Sequence, residues 1–250
     1  MSAGRFTWYD LATTDPVGAA AFYADAVGWD AVPLPDKPYT LFKMGDAVLA
    51  GAHAMPADLE ARGIPPHWSG HIHVDDVDAS LAQAVAAGGV PRFGPMDVPG
   101  VGRFAVVTDP AGAHFYLFTP SYTESPPEMM SPGSIGWHEL RTPEPVAALE
   151  FYMTMFGWEK DRAIDMGPMG VYQLFAYGGT DRGGVMAAPA GMSPHWLYYF
   201  AVEGIDSARD RVMAGGGAVL HGPQEVPGGA WTLTCRDPQG GHFALVAPKR

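Results

Sequence analysis

Two acidic side chains occupy matching places in the two halves of this chain, and each could bind a ligand or move a proton. Asp10 lies two residues after Trp8, and Glu139 lies two residues after Trp137. Residues two apart on a strand point to the same face, so each carboxylate should share a face with an indole. A buried carboxylate needs a hydrogen-bond donor or takes a raised pKa. We therefore predict one of two roles for Asp10 and Glu139. They either anchor a ligand or act as a general base, or they form a structural hydrogen bond to the backbone of the next strand.

Histidines form a second set of candidates. His114 and His242 are also duplicated, and each begins the last strand of its half. A catalytic role would require a neighbour that orients the ring, and the carboxylate on the first strand of the same half is placed to do so. The alternative for both histidines is a structural hydrogen bond to the hairpin backbone.

A further histidine pair raises the question of a metal. His71 and His73 are two residues apart, so they project from the same face of a strand. Together with His114 they could hold one divalent metal, because imidazole is a common metal ligand. The second half has Tyr199 and Ala201 at the equivalent positions, which favours the lining of a polar pocket. We expect no cofactor, with this site as the alternative.

Aromatic side chains are abundant around the same strands, and they predict where a flat ligand would lie. Most small-molecule sites are apolar concavities with a few polar groups. The ligand-contacting residues predicted in the first half are Trp8, Tyr39, Phe42, His71, His73 and Tyr116, and those predicted in the second are Trp137, Tyr172, Phe175 and Tyr199. Ordinary core packing is the competing interpretation of these aromatics.

An internal repeat shows which elements position these residues. The stretch from Trp8 to Trp29 recurs in register from Trp137 to Trp158, and later markers continue the match. An ordered match over most of the chain indicates a tandem duplication. The intervening stretch contains several prolines and no sustained apolar period. We therefore predict domains at residues 1–120 and 133–250, joined by a proline-rich linker at 121–132.

The hydrophobic period alternates between strand and helix within each repeat. Arg5 to Ala12 reads as a strand, and Asp15 then offers an N-cap for a helix that Gly28 ends. Two strands follow, and His71 to Val74 restarts the pattern with a second helix and a hairpin. Each repeat thus predicts two successive β-α-β-β-β modules, so the chain should hold four.

Composition narrows the classes of partner. The 250 residues carry 15 Lys and Arg against 27 Asp and Glu, a formal charge of −12, which would repel nucleic acid or an anionic membrane. No apolar run reaches the roughly 18–20 residues that a bilayer crossing needs. The lone Cys235 cannot form an internal disulfide, and the amino terminus lacks a signal-peptide pattern. We expect a cytoplasmic monomer or homodimer whose partner is a small-molecule ligand, with no nucleic acid or membrane partner.

The motifs resemble those of the vicinal oxygen chelate superfamily, which includes glyoxalase I, bleomycin-resistance proteins and extradiol dioxygenases. The resemblance rests on the helix motif from Asp15 to Trp29, the helix start from Val74 to Asp78 and the hairpin from Asp109 to Phe115. It covers nearly the whole chain outside the linker and is similar to a fused two-domain, hydroxylase-like subgroup. It implies an α+β fold of two tandem domains, in which paired βαβββ modules form a cup-shaped, mixed half-barrel with flanking helices.

The resemblance also implies a test for a metal. Metal-dependent members present ligands, usually His, Gln or Glu, from the first, fourth, fifth and eighth strands of the cup. The corresponding positions here are Trp8, Gly51, Ser69 and Tyr116 in the first repeat, and Trp137, Gly184, Leu197 and Ala244 in the second. None of these is a histidine, cysteine or carboxylate. We therefore expect no metal at the usual positions.

Two functions fit these residues. The first is a glyoxalase- or bleomycin-resistance-like protein that binds an apolar or aromatic metabolite in a cup-shaped pocket, without the usual metal ligands. The alternative is a hydroxylase-like, isomerase or lyase enzyme acting on an aromatic polyketide-like substrate. That enzyme would use acid–base chemistry of Asp10 and His114, or a non-standard metal site. The missing family ligands favour the first function.

Overall fold

The protein forms two open, mixed sheets of eight strands each. The structure, a computed structural model, describes residues 3–122 and 129–250. Within these residues it contains sixteen strands and five α-helices, arranged as four β-α-β-β-β modules. The predicted fold class is therefore confirmed. The linker predicted at 121–132 includes residues 123–128, which lie outside the described residues.

The strands and helices follow the same order in both repeats. In the first repeat they are β1 (Phe6–Thr13), α1 (Pro16–Val27), β2 (Asp30–Pro33), β3 (Tyr39–Met44), β4 (Ala47–Ala54), α2 (Ala57–Ala61), β5 (His67–His73), α3 (Val77–Ala86), β6 (Val90–Val98), β7 (Gly102–Thr108) and β8 (His114–Pro120). In the second they are β9 (Ile135–Thr142), α4 (Pro145–Phe156), β10 (Glu159–Asp165), β11 (Val171–Tyr177), β12 (Thr180–Ala187), β13 (His195–Ala201), α5 (Ile205–Ala214), β14 (Ala218–Glu225), β15 (Trp231–Arg236) and β16 (His242–Ala247).

The two sheets have equivalent strand orders. The first runs β2-β3-β4-β1-β5-β8-β7-β6, and the second runs β10-β11-β12-β9-β13-β16-β15-β14. The first strand of each module pairs in parallel with its last, as β1 does with β4 and β5 with β8. The hairpins between them are antiparallel. Repeated topology of this kind is what a tandem duplication predicts.

The long helix of each repeat begins and ends as its sequence predicts. The Gly18 amide donates to Asp15 Oδ1 at 3.0 Å, and Pro16 follows this N-cap. Gly28 ends α1 with a φ of 94°, and Gly157 ends α4 with a φ of 66°. Only glycine adopts these left-handed values without a steric cost. None of the helices in the described ranges is long and apolar enough to cross a membrane.

The chain also divides into two compact units, and each unit takes one module from each repeat. The first unit contains the chain up to Trp8, the segment from Ser69 into the linker and His138–Trp196; the second contains Tyr9–Trp68, the segment that ends at Trp137 and Leu197–Arg250. The boundaries between the units lie inside β1, β5, β9 and β13. Sequence repeats and compact units are therefore different divisions of this chain.

A buried tyrosine on a helix organises the core of each unit. In the first unit, Trp196 Nε1 donates to the Tyr152 hydroxyl at 3.0 Å, and that hydroxyl donates to Asp109 Oδ2 at 3.2 Å. In the second, Trp68 Nε1 donates to the Tyr23 hydroxyl at 2.8 Å. Burial is the main cause that raises the pKa of Asp109 above its ordinary value. The bond from Tyr152 to Asp109 joins a helix of the second repeat to a hairpin of the first.

Candidate functional site

A tyrosine covers a glycine beside the carboxylate of the first repeat. Asp10 on β1 lies opposite Gly51 on β4. A β-carbon at Gly51 would lie 2.0 Å from the Tyr39 hydroxyl oxygen, so the close approach of this ring requires glycine. The Tyr39 hydroxyl donates a hydrogen bond to Asp10 Oδ1. The structure therefore brings together two of the residues that the sequence predicted, as a phenol–carboxylate pair in the second unit.

An imidazole that was not among the predicted site residues, that of His53, lies beside the tyrosine of this pair. The His53 ring is parallel to the Tyr39 ring, with an interplanar angle of 9° and centroids 6.3 Å apart. His53 Nδ1 lies 2.8 Å from the Ala54 carbonyl oxygen; because a carbonyl only accepts, Nδ1 carries the hydrogen. Burial is the main cause that lowers the pKa of His67, and nearby His53 lowers it further. The two-residue spacing from Gly51 could have identified His53.

The tyrosine-over-glycine arrangement recurs in the first unit with a different electrostatic partner. Glu139 lies opposite Gly184, and a β-carbon at Gly184 would lie 2.4 Å from the Tyr172 ring. Arg141 Nε lies 2.6 Å from Glu139 Oε1, and the two side chains are 22% and 6% exposed. The carboxylate of the second repeat is thus already neutralised by a guanidinium. Burial is the main cause that lowers the pKa of His195, and the charges of Arg141 and Glu139 also act on this ring.

The duplicated histidines of the last strands differ in their surroundings. His114 Nε2 lies 2.9 Å from Ser69 Oγ in the first unit. Leu197 occupies the position equivalent to Ser69 in the second repeat, and His242 is exposed. The side chain that the structure places against His114 is thus a hydroxyl, where sequence analysis proposed a carboxylate.

Four stacked rings cross the outer half of the first sheet, and we call them the stacking row. They are His71 on β5, Tyr116 on β8, Phe104 on β7 and Phe93 on β6. Successive ring centroids lie 4.2, 5.7 and 5.9 Å apart, with interplanar angles of 11°, 28° and 25°. The row runs from a buried imidazole to Phe93, which is 53% exposed. All four residues belong to the first unit, and sequence analysis predicted His71 and Tyr116 as ligand contacts.

The residues of the second repeat that are equivalent to the stacking row are not all aromatic. Those positions hold Tyr199, Ala244, Thr232 and His221. The buried cluster there consists of Leu197, Tyr199, Ala201, Ala244 and Val246, with Trp137 and Ala230 packed against it. Trp137 and Tyr199, which sequence analysis predicted as ligand contacts, are therefore part of an apolar cluster in the second unit.

Two other predicted ligand contacts lie in the core. Phe42 and Phe175 have no exposed surface. The Phe42 ring lies 5.0 Å from that of Trp29, and the Phe175 ring stacks on Trp158 at 4.3 Å. Residues three apart on a strand face opposite sides, so Phe42 and Tyr39 cannot share a face. Among the remaining predicted contacts, His73 is buried and Trp8 is partly buried.

Two family models match the chain, one for each repeat. The model for the Glyoxalase-like domain matches residues 8–118, and that for the Glyoxalase/Bleomycin resistance protein/Dioxygenase superfamily matches residues 134–245. The relative named "Putative glyoxylase CFP32" from Mycobacterium tuberculosis is 33% identical, over 98% of this chain and 95% of that protein. The chain belongs to this superfamily, also called the vicinal oxygen chelate superfamily. Anthracycline biosynthesis protein DnrV from Streptomyces peucetius is 32% identical, over 98% of this chain and 94% of that protein.

Solved structures of superfamily members share the fold. The Mn(II)-bound glyoxalase from Novosphingobium aromaticivorans aligns with a TM-score of 0.69 and 17% identity, over 99% of this chain and 83% of that one. A variant of homoprotocatechuate 2,3-dioxygenase from B. fuscum aligns with a TM-score of 0.69 and 17% identity, over 98% and 71% of the two chains. At these identities the similarity shows the fold alone.

The side chains at the positions that were assigned to metal ligands from the sequence include no histidine, cysteine or carboxylate. On the fourth strand of each repeat the ligand position is glycine, and Tyr39 or Tyr172 fills the space that a ligand side chain would take. Tryptophan stands at the first-strand position of both repeats, and an indole offers no lone pair to a metal. No group of three or more His, Cys, Asp or Glu side chains that could hold a metal occurs in residues 3–122 and 129–250. The alternative set of His71, His73 and His114 therefore does not form such a group.

Proposed function

We propose that this protein binds a flat, largely apolar small molecule through the stacking row of its first repeat, without a divalent ion at the superfamily's usual positions. The observation that carries the proposal is the run of parallel rings from His71 to Phe93. A planar ligand can extend such a run, because aromatic pairs at these spacings contribute about 0.5–1.5 kcal/mol beyond the area that they bury.

Two further features support an aromatic ligand on the first repeat. A site that combines apolar rings with one imidazole has the composition of an ordinary small-molecule site. In the second repeat the equivalent strands are packed as an apolar cluster with Trp137, which favours the first repeat as the one that binds. The name of the relative DnrV refers to anthracycline biosynthesis, and anthracyclines are flat polycyclic aromatics.

Calorimetric titration with 2-naphthol, a flat bicyclic probe, tests the proposal. We expect Tyr116→Ala to weaken binding about tenfold, because a loss of roughly 1.4 kcal/mol of stacking and burial corresponds to that factor. Thr232→Ala alters the equivalent half of the second sheet and is the matched control, since it should leave the affinity unchanged.

The same titration in the presence of EDTA separates stacking from metal chelation. We expect the chelator to leave the affinity for 2-naphthol unchanged. Loss of binding on chelation, or equal affinities for the wild type and Tyr116→Ala, would show that the stacking row is not the binding surface.

A further inference from the structure

We infer that the first repeat carries a serine nucleophile, Ser69, with His114 as its general base, and that this pair transfers the acyl group of small aryl esters to water. The inference goes beyond the proposed function and does not depend on it. Both side chains belong to the first unit, and neither is part of the stacking row.

The first argument is the distance between the two side chains. Ser69 Oγ lies 2.9 Å from His114 Nε2, within the range of about 2.6–3.2 Å that joins an activated nucleophile to its base. In the imidazole tautomer that carries its hydrogen on Nδ1, Nε2 accepts and the serine hydroxyl donates. The hydrogen of this hydroxyl is then directed at the atom that takes it when Oγ attacks a carbonyl carbon.

The second argument is that the sheet fixes both residues. Ser69 lies on β5 and His114 begins β8, and these strands pair in parallel with His71 opposite Tyr116. Ser69 and His114 each lie two positions before a member of that match, so alternation directs both side chains to the same face. Two regular strands therefore hold a nucleophile and its base in a constant geometry, which favours a reaction between them.

The third argument is burial, which also sets the class of substrate. Ser69 is 2% exposed and His114 is partly buried, so charge that develops in the pair is screened less than at the surface. Such limited access to Oγ favours a small acyl group, such as acetyl. A phenol is the better leaving group because its oxygen holds negative charge more readily than that of an alkyl alcohol. The substrate is therefore a small acyl ester of an aromatic alcohol.

The fourth argument is the contrast with the second repeat. Leu197 occupies the position of Ser69, and His242, the equivalent of His114, is exposed. The second sheet forms in the same strand order without this serine, so the fold does not require the hydrogen bond between the two side chains. The serine–histidine pair therefore gives the first repeat a chemistry that these positions of the second repeat do not supply.

The reaction balances with water as the only other reactant. Ser69 Oγ bonds to the carbonyl carbon of the ester while its proton moves to His114 Nε2. The bond from that carbon to the aryl oxygen then breaks, and the imidazolium gives the proton to the leaving aryl alcohol. Water, deprotonated by the same nitrogen, hydrolyses the ester on Ser69, which releases the carboxylic acid and restores the hydroxyl.

Methanesulfonyl fluoride tests the nucleophile on the wild type, so the result does not depend on whether a variant folds. This small reagent sulfonylates activated serines with loss of fluoride, and mass spectrometry of the digested protein locates the adduct. We expect one adduct per chain, on Ser69, and none on the exposed Ser193. His195 Nδ1 lies 2.8 Å from the backbone carbonyl oxygen of Ser193, which does not activate its hydroxyl. No adduct, or adducts only on other residues, would overturn the inference.

Hydrolysis of 2-naphthyl acetate, followed by the fluorescence of the released 2-naphthol, tests the base. We expect Ser69→Ala and His114→Gln each to lower the rate at least about a hundredfold. A glutamine oxygen can still accept from the Ser69 hydroxyl but does not act as a base, so a purely structural bond would survive this change. Ser193→Ala is the matched control and should keep the wild-type rate. Wild-type rates in Ser69→Ala or His114→Gln, or a wild type that does not accelerate the hydrolysis, would overturn the inference.

Discussion

Tyr23 and Asp237 are 214 positions apart in the sequence, and the Tyr23 hydroxyl donates a hydrogen bond to Asp237 Oδ2 at 2.9 Å. Tyr152 makes the equivalent bond to Asp109 at 3.2 Å. In both bonds a helix tyrosine of one repeat meets the hairpin aspartate of the other. Each compact unit is therefore held together by an interaction that neither repeat can make within itself.

Removing either tyrosine hydroxyl should destabilise the protein. Tyr23→Phe removes the side-chain donor to Asp237 Oδ2 and the acceptor of Trp68 Nε1, so we expect the free energy of unfolding to fall by about 1–3 kcal/mol. Tyr152→Phe should have a similar effect. Urea denaturation measures both effects. The control is Val17→Ala, which changes a residue that is 81% exposed on the same helix as Tyr23. This variant should change the free energy of unfolding by less than about 0.5 kcal/mol. Changes that small in the tyrosine variants would contradict a stabilising role for these bonds.

A buried histidine should make stability depend on pH. Burial lowers the pKa of His138 from 6.5 to about 4, so the unfolded chain binds a proton in this range while the folded protein does not. The free energy of unfolding should therefore fall as the pH drops from about 6.5 towards 4. His138 alone should account for a fall of roughly 2 kcal/mol between pH 7 and pH 4.5.

His138→Gln isolates that effect. Urea denaturation of the wild type and the variant at pH 7 and pH 4.5 gives the difference in pH dependence between them. We expect the variant to lose about 2 kcal/mol less than the wild type on acidification. An identical loss in both proteins would mean that His138 is not the group responsible.

The tyrosine-over-glycine packing can be tested by a double-mutant cycle. Gly51→Ala adds a methyl group where the Tyr39 ring lies, and overpacking of this kind costs about 1–3 kcal/mol. In a Tyr39→Ala background the space is open, so the same change should cost much less. Thermal or urea unfolding of the four proteins measures the coupling, and strictly additive effects would show that the two residues do not compete for space.

The sequence predicts the modules but not how they combine. The repeat, the proline and glycine at the ends of the long helices and the Asp109 turn all identify local structure, because each depends on neighbouring residues. Equivalent modules of the two repeats share the same sequence pattern, so this pattern does not show which module packs against which. It therefore cannot tell whether the Tyr23 hydroxyl should reach Asp109 of its own repeat or Asp237 of the other.

The sequence also predicts only part of the candidate site. Asp10 and Tyr39 could be predicted because alternation on a strand places a side chain on a known face. The same rule excludes Phe42, three residues along the strand, from the face of Tyr39. Phe93 and Phe104 were not predicted, because their stacking depends on register shifts in the β6–β7 pair near Phe93, and such bulges are not readable from periodicity.

Nuclear Overhauser effects can locate a bound flat aromatic molecule and so show whether the stacking row is the binding surface. The protein would carry ¹³C-labelled tyrosine and phenylalanine, and 2-naphthol would be added to saturation. We predict contacts from the probe's ring protons to Tyr116 and Phe104 of the stacking row, and none to Tyr199. Contacts confined to Tyr199 or to other rings outside the row would show that the stacking row does not bind the probe.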